Sequence, residues 1–161
     1  MKKLALLCFV AVGFCVSANP DETALQGFAR WGSAEMASAA RALSADAAKD
    51  PHHFASKRIA DFPNEYFLLV HREADGAPEV HETEIDVILI QSGTGTFVVG
   101  GTLQNGETTA PHEKRNGTIV GGTKQKVTAG DVMRVPPNTP HQMLLDGAKE
   151  LNYLVVKVKG Y

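Results

Sequence analysis

The stretch Gly130-Asp131-Val132-Met133-Arg134-Val135-Pro136-Pro137-Asn138-Thr139-Pro140-His141 decides the fold. Val132 to Val135 has strand propensity, and the proline pair that follows cannot donate to a sheet ladder. Asn138 tolerates the left-handed backbone of a tight turn, so the chain reverses there and His141 opens the next strand. The segment is therefore strand, rigid turn and strand. It delivers an imidazole to a fixed place, expected at a barrel mouth or a sheet edge.

Outward from this stretch, the chain from Glu65 onward consists of short β-branched and aromatic runs separated by glycine, proline and asparagine. That texture predicts an all-β antiparallel sandwich or barrel. Strands are expected near 65–72, 78–82, 85–91, 95–103, 118–128, 131–135, 141–145 and 151–159. In the last, Leu154, Val156 and Val158 alternate with Tyr153, Val155, Lys157 and Lys159, which predicts a core face and a partly wet face respectively. Val87 to Ile90 lacks alternation and is expected to be covered on both faces. Val99-Gly100-Gly101-Thr102 recurs as Val120-Gly121-Gly122-Thr123, which reads as two strands bending alike. Between them Leu103 to Gly117 is a polar excursion, with a turn at Asn116-Gly117. Upstream, residues 21–50 are alanine-rich, and Leu25, Phe28, Met36, Ala39 and Leu43 recur at helical spacing. The firmer helix is expected over Ser33 to Lys49, on the outside of the barrel. His52 and His53 read as a solvated pair in the connector.

Lys2 and Lys3 precede the apolar run Leu4 to Val16, and Val16-Ser17-Ala18 resembles a signal-peptidase site, so residues 1–18 are expected to be a bacterial signal peptide. The run is too short to span a membrane. Export to the periplasm or medium follows as an expectation, with a helical extension over 19–57 and a barrel domain over 58–161. Cleavage after Ala18 leaves 143 of the 161 residues, enough for one core. Both cysteines, Cys8 and Cys15, lie in the leader, so the mature chain has no thiol for a disulfide, a zinc-thiolate site or a nucleophile. Losing Lys2 and Lys3 takes the basic count from 16 to 14 against 18 acidic residues, which argues against nucleic acid or an anionic membrane as partner. No Gly-x-Ser-x-Gly elbow and no phosphate-cradling glycine loop with lysine is present.

The order Gly130-x5-Pro136-x-Asn138-x2-His141 resembles the second sequence motif of the cupin family. Upstream, Glu79-x-His81-x4-Asp86-x6-Gly93 resembles the first motif in spacing, with glutamate in place of its first histidine and aspartate in place of its glutamate. The resemblance covers about residues 65 to 159 and implies a cupin-type jelly-roll β-barrel preceded by a short N-terminal α-helical segment. It also implies metal-dependent oxygenation, isomerisation or decarboxylation of a small organic molecule.

The strand period itself puts Glu79 and His81 on one face, and the turn near Thr83 and Glu84 can bring Asp86 round. If the sheet closes, His141 meets them. His81, His141, Glu79 and Asp86 are thus the candidate metal ligands. Imidazoles with carboxylates suit one divalent ion of Fe, Mn, Zn, Ni or Cu, with positions left for substrate. His112 and Glu113, in the polar excursion, are candidate catalytic residues as a general acid–base pair over the mouth. His71 shares a face with Phe67 and Leu69 and reads as a core or pocket-wall residue, and Gln142 points away from the site. Two alternatives stand beside the metal-dependent reading. One is a non-catalytic module holding a small ligand without metal, and the other is a homodimer built through the helix or a strand edge.

Overall fold

The computed structural model describes residues 25–161. The expected signal peptide lies outside them. Residues 25–30 belong to a first unit, within which the Phe28 N–H donates to the Leu25 carbonyl at 2.9 Å. Everything below concerns Trp31–Tyr161.

The chain runs α1 (Ser33–Ala47), β1 (Phe54–Asp61), β2 (Glu65–Arg72), β3 (Glu79–His81), β4 (Glu84–Val99), β5 (Thr102–Gln104), β6 (Glu107–Ala110), β7 (Glu113–Arg115), β8 (Thr118–Val120), β9 (Thr123–Thr128), β10 (Val132–Val135), β11 (His141–Leu144) and β12 (Leu151–Lys159). Ten strands form one antiparallel sheet in the order β1-β2-β12-β4-β11-β3-β7-β6, with β9 and β10 also paired to β4, and β5 pairs with β8. The sheet curls on itself, and β12 lies between β2 and β4.

The 16-residue β4 replaces the two strands expected over 85–91 and 95–103. It serves both halves of the curled sheet: its first half pairs with β12 and β10, its second with β11 and β9. Glycine makes the crossing possible. Gly93 has φ +88°, and a Cβ there would stand 2.4 Å from the Glu150 carbonyl oxygen, while one at Gly95 would stand 2.6 Å from that of Leu144. Gly93→Ala combines a left-handed backbone with a backbone clash, and is expected to cost about 2 kcal/mol or more in urea unfolding.

Inside the curl, Val70, Ile88, Ile90, Phe97, Met143, Tyr153 and Val155 form the centre of the core. This corrects two expectations. Ile88 and Ile90 are buried but Leu89 is 36% exposed, so the apolar run Val87–Ile90 is covered fully on one face only. In β12 the faces are exchanged: Tyr153, Val155 and Lys157 are buried inward, and Leu154, Val156 and Val158 are half-buried outside.

Outside, α1 packs on β1 and β2, burying Leu43 and Ala47. Trp31 lies 5.1 Å from the Phe67 ring, and Leu69 and His71 of the same β2 face are buried. His71 is thus a core residue, its Nδ1 2.8 Å from Asn152 Oδ1 and its Nε2 3.0 Å from Glu73. The two Gly-Gly pairs do not lie inside bending strands as expected, but divide β4 from β5 and, within the expected strand 118–128, β8 from β9; they pack together, a Cβ at Gly101 standing 2.4 Å from the Val120 carbonyl oxygen. Asn116 and Gly117 form a turn, with φ of 65° and 74°. β1, β6 and β7 were not among the expected strands. β6 and β7 are short and polar, and β1 carries no regular alternation, which hides them from a pattern search, yet β7 pairs with β3 and so walls the site.

Candidate metal centre

His141 begins β11 between two strands, paired with Val99 of β4 and Glu79 of β3. This is the interior of the sheet, not its edge. The turn before it does two jobs. Asn138 takes the left-handed conformation at φ 60°, and its backbone N–H donates to the His81 carbonyl at 2.8 Å. Thr139 offers its carbonyl to His141 Nδ1 at 3.0 Å. A carbonyl can only accept, so Nδ1 carries a proton and Nε2 faces inward. That Nε2 is buried and, among the described residues, has no hydrogen-bond partner.

The Nε2 atom looks toward two carboxylates. Glu79 Oε1 is 3.4 Å away and Asp86 Oδ2 3.5 Å. His81, 3% exposed, completes the group with its Nε2 3.4 Å from Asp86 Oδ2 and its ring centroid 5.2 Å from that of His141. Glu79, His81, Asp86 and His141 each offer one ligand atom, all within 4.8 Å of one another. The sequence-predicted quartet is therefore brought together by three strands, with β3 supplying Glu79 and His81, β4 Asp86 and β11 His141.

The candidate acid–base pair separates. His112 sits at φ 65° with its side chain 61% exposed and its Nδ1 3.4 Å from Glu82, away from the quartet. Glu113 points inward from β7 and accepts from His81 Nδ1 at 2.7 Å. Like Thr139 for His141, it fixes the tautomer, leaving the His81 Nε2 lone pair for the interior. Gln142 faces away as expected and donates to the Gly76 carbonyl.

Two cations escaped the sequence reading. Lys157, on the β12 face expected to be partly wet, is buried with its Nζ 2.6 Å from His81 Nε2 and 2.7 Å from Asp86 Oδ1. Arg115, on β7, donates to Glu79 Oε2 at 2.7 Å. Lys157 shares strand parity with Tyr153 and Val155, and that in-phase spacing was the available signal. Arg115 carried none, since β7 is short and polar.

The charges are mutually stabilising. Burial opposes ionisation of Glu79, but His141, Arg115 and Lys157 hold its pKa down at about 2. Burial likewise opposes ionisation of Asp86, yet the two histidines and Lys157 keep it well below the usual carboxylate range. Desolvation disfavours the charged His141 ring, but Asp86 and Glu79 outweigh it and raise the pKa from 6.5 to about 9. In the ion-free protein, linkage then sets a stability window. The Glu79 contribution is present above pH 4.5 and lost as pH falls toward about 2. The His141 contribution is present below pH 6.5 and lost as pH rises through about 9. Thermal melts of the chelated protein are expected to peak between these limits and to fall on both sides. A melting temperature that climbs from pH 7 to pH 9.5 would contradict the assignment.

The donor set fits a divalent cation: two imidazoles whose Nε2 atoms are turned inward by outer partners, the His141 ring yielding its proton to an ion, and two carboxylates, gathered beside a cavity. The cavity has a volume of about 280 Å³ and is lined by Glu79, Asp86, His141 and Lys157 together with apolar core side chains.

A scan against protein-family models and a search of curated proteins returned no match. Solved structures do match the fold. The chain is similar to an uncharacterised conserved protein with a double-stranded β-helix domain from Klebsiella pneumoniae, at 16% identity and TM-score 0.50, over 66% of this chain and 73% of that one. It is similar to the TT1209 protein of Thermus thermophilus, at 17% identity and TM-score 0.51, over 68% of this chain and 87% of that one. A cupin 2 conserved barrel domain protein from Rhodopseudomonas palustris aligns at 20% identity and TM-score 0.47, over 65% of this chain and 60% of that one. The architecture of Trp31–Tyr161, a curled antiparallel sheet with one short helix, is the cupin-type double-stranded β-helix fold.

Proposed function

We propose that the protein holds one divalent metal ion through His81, His141, Glu79 and Asp86 and acts on a small organic molecule in the adjoining cavity. The observation that carries this is the buried, unpartnered Nε2 of His141, aimed at two carboxylates and a second imidazole. A bound divalent ion would supply Lewis acidity and a template for the reacting oxygen. The chain's own residues do the rest. Glu113 and the Thr139 carbonyl hold the two rings in the ligating tautomer, Arg115 steadies Glu79, and the apolar walls exclude water. The reading includes export, supported by the basic and apolar N-terminal stretch. Its check is the N-terminal residue of protein recovered from the periplasm, Asn19 if the leader is cleaved.

A second reading is favoured by Lys157. Its ammonium, within hydrogen-bond distance of His81 Nε2 and close to Asp86, stands where a metal would and satisfies the same charges. On that reading the barrel is a metal-free binding module. Elemental analysis of natively purified protein, followed by melting with and without chelator, separates the two. About one ion per chain and a chelator-dependent fall in melting temperature support the metal centre. Metal-free protein indifferent to chelator supports the module.

A further inference from the structure

The cavity has two polar ends, and only one of them is the quartet. At the other, Arg72 of β2 enters with its Nε and Nη2 each 3.4 Å from the Tyr153 hydroxyl and its Cζ 4.7 Å from the centroid of the Phe54 ring. Arg58 and Arg115 both have carboxylates against them. Among the described residues Arg72 has none within 4.0 Å. Tyr153 is 6% exposed, and among the described residues its hydroxyl accepts from Arg72 and donates to nothing. The place is shaped for the guanidinium: a Cβ at Gly76 would stand 3.0 Å from Arg72 Cζ and Nη1. Among the described residues, Arg72 Nη1 and the Tyr153 hydroxyl proton are therefore donors that no protein group accepts, and an oxyanion placed between them would meet both.

Charge accounting points the same way. Of the charged side chains that line the cavity, Glu79 is paired with Arg115 and Asp86 with Lys157, each at 2.7 Å. Arg72 is the surplus cation of the cavity wall. Between the ends lie Leu68, Val70, Ile88, Phe97 and Met143. Tyr153 and Lys157 are four residues apart on β12, about 13 Å along the strand. The cavity thus offers a cationic end, an apolar middle and a polar end.

We propose that this cavity binds a small organic carboxylate with an apolar body, its carboxylate held by Arg72 and Tyr153 and its other end directed toward the quartet. One guanidinium suits a monoanion, and the narrow apolar middle suits an aryl or short alkyl body better than a phosphate. The proposal rests on reading the cavity as the substrate's place, and needs no bound ion.

The test compares phenylacetate and hexanoate with phenylacetamide and hexanamide, by saturation-transfer NMR and calorimetry on the chelator-treated full chain. The acids are expected to bind at least tenfold tighter than the amides, and inorganic phosphate not to compete. Arg72→Met is expected to erase that preference by weakening the acids at least tenfold while leaving the amides and metal uptake unchanged. Equal binding of acids and amides, no binding of the acids, or an unaltered preference in Arg72→Met overturns the proposal. The wild-type comparison stands even if the variant fails to fold. Absence of metal from the native protein would remove the metal centre and leave the carboxylate result intact.

Discussion

His141→Ala is expected to empty the metal centre, taking metal content from about one ion per chain to background. Among the described residues His141 Nε2 makes no hydrogen bond, and its ring is pinned by Thr139, so removing it leaves the two carboxylates 3.4 and 3.5 Å away without the imidazole they face. Loss of a residue that only orients a ligand costs about 10–100-fold in affinity, and loss of the ligand itself exceeds that. Elemental analysis and isothermal titration with Zn(II) or Mn(II) measure it. The outcome that removes the metal reading is unchanged metal content in a folded His141→Ala protein. The substitution also takes away the charged partner of Glu79 and Asp86, so the ion-free variant is expected to melt lower than ion-free wild type near pH 6.

Lys157→Met is expected to act in opposite directions on the two forms of the protein. Lys157 and Asp86 are each less than a tenth exposed, and Nζ lies 2.7 Å from Asp86 Oδ1. Removing one partner of such a pair leaves a buried carboxylate without its counter-charge, at a cost of about 3–5 kcal/mol. The ion-free variant should therefore melt ~10 °C or more below wild type. Added metal should recover that loss, and the variant should bind the ion more tightly than wild type, because the ammonium no longer holds the His81 lone pair. If the ion-free loss appears and metal does not repair it, the lysine is a permanent internal cation and the binding-module reading stands.

The parts of this molecule that sequence made legible are those where one face is apolar and the turn residues are chemically forced. The run 130–141 is such a case, as is β2, whose bounds agree with expectation at Glu65 and Arg72. The quartet was legible because spacing on a strand fixes which side chains share a face, and Asn138 fixes where the next strand starts. In β12 both stripes are apolar, so only its lysines distinguish the faces in sequence, and they point to water where the structure buries Lys157. A lysine stem is largely hydrocarbon, and with Asp86 and His81 at its tip it can sit inside. β4 was cut in two at Ser92-Gly93 because glycine ordinarily ends strands, whereas here it lets one strand bend past Glu150. β6 and β7 lack buried residues to set a period, so Arg115 was invisible and Glu113 could not be told from its exposed neighbour His112.

The placement of β12 between β2 and β4 has a consequence for how the protein comes into being. During synthesis the segments flanking that slot emerge first, and until residues 151–159 follow they expose two unpaired ladders facing each other. Nascent chains halted in this interval carry open sheet margins of the kind that recruit other chains. The same late strand brings the lysine that neutralises the acidic centre, so closure of the backbone and charge balance arrive in a single event.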